Sequence, residues 1–254
     1  MLDAKSLLDQ FLGTATGNPN TPQARGGGIG DIAGGLGKAL GGNLGGVGGG
    51  AVAGGLAALL LGSKQGRKIA GGALQLGGMA VVGALAYRAY QNWQSGKSVT
   101  QSTVADSPAG LLPPPQDTPF APVQADEQQA LSRHLLRAMI SAAKSDGHID
   151  AKEQAAIFSE MDKLPLTADD KAFVMDELRK PLDIDAVARA ARTPEEAASI
   201  YTASLLAIDV DNASERAYLG LLAARLNLED ALVKHLEATV SGATVAAAPA
   251  ARAG

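Results

Sequence analysis

The chain has 254 residues, no cysteine and a formal net charge of −4, which excludes disulfides, thiolate zinc sites and thiol catalysis. The charge is unevenly spread: residues 1–124 hold eight Lys/Arg against five Asp/Glu, whereas residues 125–254 hold fourteen against twenty-one. An acidic C-terminal half excludes nucleic acid as its partner, because binding phosphates needs a basic surface.

The opening stretch, "MLDAKSLLDQFLG", carries Asp3 and Asp9, lacks a basic n-region and is too broken for the apolar core of a signal peptide. Ala4, Leu8, Phe11 and Leu12 fall instead on one helix face, so residues 1–25 read as a short amphipathic docking helix followed by a loop. Residues 26–94 are glycine-rich. Within them the run 69–87, "IAGGALQLGGMAVVGALAY", is uncharged. At about 1.5 Å per residue it reaches roughly the thickness of a bilayer core. Tyr87, Tyr90 and Trp93 follow at steps of three, where an interfacial aromatic belt sits. The spacing predicts a membrane span over 69–87.

A second uncharged run, residues 44–62, repeats glycine every four residues at Gly41, Gly45 and Gly49 and at Gly46, Gly50 and Gly54. Such ridges let helix backbones approach closely in lipid. The two runs, with Lys64, Arg67 and Lys68 between them, make either a glycine-zippered hairpin or a leader before a single span, and the zipper offers a route to homo-oligomers. Two nucleotide-binding patterns fail in this region. "GSKQGRKI" has the wrong glycine spacing and Ile69 where a hydroxyl should hold magnesium; "GIGDIA" has no strand before it. Residues 95–124 hold six of the twelve prolines and read as a semi-extended linker.

From residue 125 the periodicity is helical throughout. Capping boxes mark the starts: Asp150 with Glu153, Thr167 with Asp170, Thr193 with Glu196, Asn212 with Glu215 and Asn227 with Asp230. Pro194 suits the first position of a helix, and Pro181 stops the helix ending in "DELRK". Seven helices are expected, near 126–145, 150–163, 167–180, 183–191, 193–209, 212–226 and 227–240, with a disordered tail over 242–254. The fold class is all-α: a glycine-rich membrane helix or hairpin, a linker, then a compact seven-helix domain over 125–241.

"KSDGHIDAKE", residues 144–153, reads like the back half of an EF-hand loop, with Asp150 at position nine and Glu153 at position twelve. Positions one and three, which supply the first side-chain ligands, are Ala142 and Lys144, so this loop alone is not an EF-hand. A second turn, "AIDVDNASERAYL", repeats the arrangement. Asp209, Asp211 and Glu215 match Asp146, Asp150 and Glu153 in kind, and the six are candidate ligands for a divalent cation, Ca2+, Mg2+ or Mn2+. The competing reading is helix caps and a solvated acidic face. His134, His148 and His235 form no ligand set and read as surface residues.

"MISAAKSDGHIDAKEQAAI" and "LLAIDVDNASERAYLGLLAARLNL" resemble the two halves of the TerB-like domain of tellurite-resistance proteins. Together with "LLLGSKQGRKIAGGALQLGGMAVVGALAYRAYQNWQ" and the leader, they resemble the YebE-type family of bacterial inner-membrane proteins. The resemblance implies an inner-membrane protein with an all-helical domain of candidate metal-binding acids, and roles in envelope or metal stress. The expected function is non-enzymatic: a membrane-anchored domain binding a divalent cation or a protein partner. The alternative is a carboxylate-dependent, divalent-metal hydrolase tethered to the lipid bilayer. A hairpin would place both termini outside by its basic loop; the TerB-like resemblance places the C-terminal domain in the cytoplasm, and that side is expected.

Overall fold

The computed structural model describes residues 3–11, 78–99, 113–145, 167–208, 210 and 213–246. These form α1 (Ala4–Phe11), α2 (Gly78–Gln94), α3 (Ala125–Ala143), α4 (Ala168–Arg179), α5 (Ile184–Ala188), α6 (Pro194–Ala207), α7 (Ala213–Arg225) and α8 (Asp230–Ala246). No strand occurs among the described residues, where one isolated bridge joins Thr118 and Ala121. The expected helix at 150–163 and the run 44–62 lie outside the described residues.

α3 and α6 are the most extensively packed pair, and α2 lies against α6 and α8. α1 crosses α3 and α2, α4 rests on α3, and α5 packs on α7 and α3. Of the apolar residues whose periodicity marks them as core, Leu135, Leu136, Met139, Ile140, Val174, Leu178, Ile200, Leu205, Leu206, Leu219, Leu222, Leu226, Leu232 and Leu236 are buried. Phe173 is partly buried against the same cluster, and Ile157, Phe158 and Met161 lie outside the described residues. The same hydrophobic cluster extends beyond residues 125–241 and includes Ala4, Leu7 and Leu8 of α1 and Val81, Val82 and Leu85 of α2.

Of the expected span 69–87, only residues 78–87 are among the described residues. Residues 78–87 belong to α2, which packs against α1, α6 and α8. A helix apolar on every side suits a protein core as well as a bilayer, and sequence alone does not separate the two. Here the neighbours are protein. No helix among the described residues is long and apolar enough to cross a membrane. The three aromatics at steps of three have protein neighbours too. Phe120 stacks edge-on against Tyr87 at 5.5 Å and against Tyr90 at 5.7 Å, and Tyr90 meets Trp93 at 5.2 Å.

Phe120 belongs to the expected linker, residues 95–124. Residues 113–124 fold back on α2 rather than running as a spacer: Asp117 N donates to Ala121 O at 3.0 Å, Ala121 N to Thr118 O at 2.8 Å, and Phe120 is 4% exposed. Asp117 has φ 62, in the left-handed region that Asp tolerates in tight turns. A Cβ on Gly83 would overlap the Phe120 carbonyl oxygen. The glycine therefore admits a backbone from the proline-rich segment.

Capping follows the sequence at two of the expected boxes. Thr167 and Asp170 form the complete reciprocal box at α4. At α6, Thr193 accepts from Glu196 N, but the Glu196 carboxylate accepts from Arg192 N at 2.8 Å instead of closing the box. Pro194 occupies the expected first position, and Lys180, before Pro181, is extended at ψ 147. Asn227 is a correction: it is no N-cap. With φ 53 it ends α7, its N–H bonding Ala224 O at 3.2 Å and that of Leu228 bonding Ala223 O at 3.0 Å. That is a Schellman pair with Asn in the usual glycine position. α8 starts at Asp230 and continues to Ala246, so residues 242–246 are helical where a disordered tail was expected.

Candidate functional site

Five of the six acids singled out by sequence, Asp146, Asp150, Glu153, Asp209 and Asp211, lie outside the described residues. Glu215, on the first turn of α7, is buried at 8% exposed. Among the described residues, no group of three His, Cys, Asp or Glu is placed to hold a metal ion.

The described neighbours of these acids nevertheless lie together. Tyr218 stands one turn after Glu215 on the same side of α7. Its hydroxyl faces those of Ser141, in the last turn of α3, and Ser204, in the last turn of α6. The C-terminal ends of the two central helices are thereby side by side. Burial pushes the Tyr218 phenol up to about 12, with the two serines pulling the other way. Neither contact has full hydrogen-bond geometry at Tyr218, and Ser141 Oγ, Ser145 Oγ and Tyr218 OH have no hydrogen-bond partner among the described residues. Ser204 spends its proton on Ile200 O at 3.1 Å. Buried hydroxyls without partners are costly in a packed interior.

Beside this end lies a cleft of about 340 Å³ between α3, α4 and α5, lined by Arg137, Ser141, Lys144, Glu177, Lys180 and Leu182 among others. Glu177 is its centre. Arg137 grips it through Nε at 3.1 Å and Nη2 at 2.9 Å, and Lys180 Nζ lies 2.7 Å away. Burial raises the Glu177 pKa, but the Arg137 fork and Lys180 outweigh it and hold the carboxyl below its usual value of 4.5. Lys144 reaches from the end of α3 to the carbonyl oxygens of Glu177 and Lys180 at the end of α4. Burial pulls its ammonium pKa down, Glu177 opposes that, and Lys180 adds to it. The charges here are satisfied by one another and by a helix terminus.

A second cleft, of about 420 Å³, lies between residues 117–122, the N-terminal half of α3 and the start of α6, with Asp117, Asp126, Glu127, His134, Arg192 and Glu196 on its walls. Burial lowers the His134 pKa, and Glu196 opposes this in part. His134 is half-buried and His235 is 5% exposed, so neither is the free surface residue expected. His148 lies outside the described residues. Sequence reasoning missed Tyr218, Ser141 and the Arg137–Glu177 pair. The pair joins residues 40 apart, and no local pattern announces it.

The family described as "Protein of unknown function (DUF533)" matches residues 46–240. A protein of Yersinia enterocolitica described as "Uncharacterized protein in ampR 5'region" is 35% identical over 96 residues, covering 38% of this chain and 69% of that protein. No solved structure matches the chain.

Proposed function

The chain belongs to the DUF533 family, the YebE-type family of the sequence resemblance, and from that premise we propose a non-enzymatic, TerB-like helical module that binds a divalent cation through the acids following α3 and α6. One observation carries the reading: the Tyr218 hydroxyl faces Ser141 and Ser204 together. Asp146, Asp150 and Glu153 follow the end of α3, and Asp209, Asp211 and Glu215 follow the end of α6. Two acidic segments that leave one end of the bundle repel each other unless a cation or hydrogen bonds compensate them. Their all-oxygen donors suit calcium, magnesium or manganese better than zinc or copper. The Ser141 and Ser145 hydroxyls, which have no hydrogen-bond partner among the described residues, are further oxygens of that kind at the same end.

Attachment to the inner membrane, with the helical domain on its cytoplasmic face, belongs to the same proposal and rests on residues 44–62 and the family resemblance. The role served is envelope or metal stress, with a protein partner reading the loaded acidic end.

Calcium, magnesium and manganese are the probes. At a concentration one hundred times the dissociation constant, a cation stabilises by about 2.7 kcal/mol, enough to raise the melting temperature measurably. Asp209→Asn, which keeps size and removes charge, should respond less. If all three cations leave the wild-type melt unchanged, the acids are caps and surface charge. A phosphatase or nuclease activity abolished by Glu215→Gln would replace binding by catalysis. Sedimentation with membranes that survives alkaline extraction, and is lost when residues 44–62 are deleted, tests the attachment.

A further inference from the structure

α1 is too short to hold its own shape. A helix of eight residues is marginal in water, so its order comes from what it lies against. Ala4, Leu7 and Leu8 are each 0% exposed, forming one stripe seated across α2 and α3. The polar recognition is at its first turn, where helix N–H groups lack partners within the helix. Asp3 N donates to Asp170 Oδ1 and Ala4 N to Gln129 Oε1, both at 2.8 Å. Gln129 Nε2 donates in return to Asp3 Oδ1, also at 2.8 Å, while that oxygen caps Ser6 N.

One of the two recognition groups on the receptor side is fixed without α1. Asp170 Oδ2 is fixed by Thr167 N at 3.0 Å and by Thr167 Oγ1 at 2.7 Å, which leaves Oδ1 aimed at the incoming helix. Gln129 sits in the second turn of α3. The groove therefore reads a capped helix start through a donor and two acceptors, then a small residue and two leucines.

Residues 12–77 separate α1 from α2 in the chain. Every contact that holds α1 is non-covalent and would be identical for the α1 of another molecule. A tether favours the chain's own helix only through its effective concentration. We propose that the groove formed by α2, α3 and the start of α4 is a helix-receptor site that accepts α1 from a second copy of the chain, in exchange with its own. Reciprocal exchange of that kind links two domains without a new interface, as in domain swapping.

Two full-length versions carrying different affinity tags, mixed at roughly millimolar concentration where a second copy competes with a tether, provide the test. Capture of one tag should retain the other, and an excess of free peptide with the sequence of residues 1–13 should cut that retention several-fold. Gln129→Ala would weaken the docking of the chain's own helix and of a second copy's alike, so peptide competition on the unaltered chain is the deciding measurement. Absence of co-capture overturns the proposal. So does co-capture that the peptide leaves unchanged, an outcome that would assign self-association to the glycine repeats instead.

Discussion

Lys144 Nζ lies 3.0 Å from the backbone carbonyl oxygen of Glu177 and also meets that of Lys180, so the end of α3 supplies a cation to the end of α4. Terminal carbonyls of a helix lack partners within the helix, and a positive group there offsets the dipole. Lys144 occupies the third position of the EF-hand-like stretch, where an ammonium repels calcium. Its fold role accounts for it without reference to metal. Lys144→Met keeps the stem and removes the donor. It should cost about 1–2 kcal/mol, and the thermal melt should fall by several degrees.

Glu177 gives a pH dependence with a definite sign. Its carboxyl is held below the usual 4.5 in the folded chain by Arg137 and Lys180, which together outweigh burial. A depressed carboxylate contributes stability that is fully present above the unfolded value and is lost as the pH falls through the folded one. Glu177→Gln leaves Arg137 and Lys180 facing a neutral amide, and should cost about 2–3 kcal/mol at neutral pH. Melts taken from neutrality downward should show the wild type losing its advantage over the variant below 4.5. A constant gap between the two curves would mean that the carboxylate is not paired.

Two glycines separate close approach from mere flexibility. Gly83→Ala gains up to about 1 kcal/mol of helix propensity but drives a methyl into a backbone oxygen of Phe120, at a cost of about 1–3 kcal/mol. The clash should win. Gly220, inside α7, has nothing within 4 Å of an added Cβ, and Gly220→Ala should stabilise by about 0.5–1 kcal/mol. Chemical denaturation of both variants reads the contrast. Equal and opposite signs to those stated would place Phe120 away from α2.

Truncation tests whether α2 is core. Val82, Ala86 and Ala89 are each 0% exposed, Leu85 is 1% and Val81 3%, and burying one aliphatic side chain of Val or Leu size is worth about 1.5–3 kcal/mol. A chain of residues 78–246 should melt cooperatively as a helical protein. One of residues 113–246, without α1 and α2, should bind hydrophobic dyes and lose that cooperativity. Identical melts would return α2 to the role of an independent segment.

What the sequence made legible was local. The Thr167–Asp170 box, Pro194 at the first helical position and the stop before Pro181 are set by neighbours within four residues, and each stands where expected. Asn227 misled because Asn followed by Asp three residues later fits an N-cap and a left-handed helix end equally; its φ of 53 decides, and no spacing encodes that. α2 misled for a different reason. An all-round apolar helix reports that it is buried without saying in what. The link from Asp3 to Asp170 spans 167 positions and leaves no periodic trace at all. Of the candidate acids, their order along the chain was readable, whereas the meeting of the α3 and α6 ends at Tyr218 depends on tertiary packing.

The packing of α2 on α8 has a consequence for synthesis. The ribosome completes Gly78–Gln94 long before Asp230–Ala246, the helix α2 touches most. At about 5–20 residues per second, the wait is on the order of ten seconds. Throughout it, α2, with its buried residues from Gly78 to Ala86, has no finished surface to lie against, and α1 has no Asp170 to hold it. The nascent chain thus presents a run that insertion machinery and holding chaperones both recognise, well before the fold that conceals it exists.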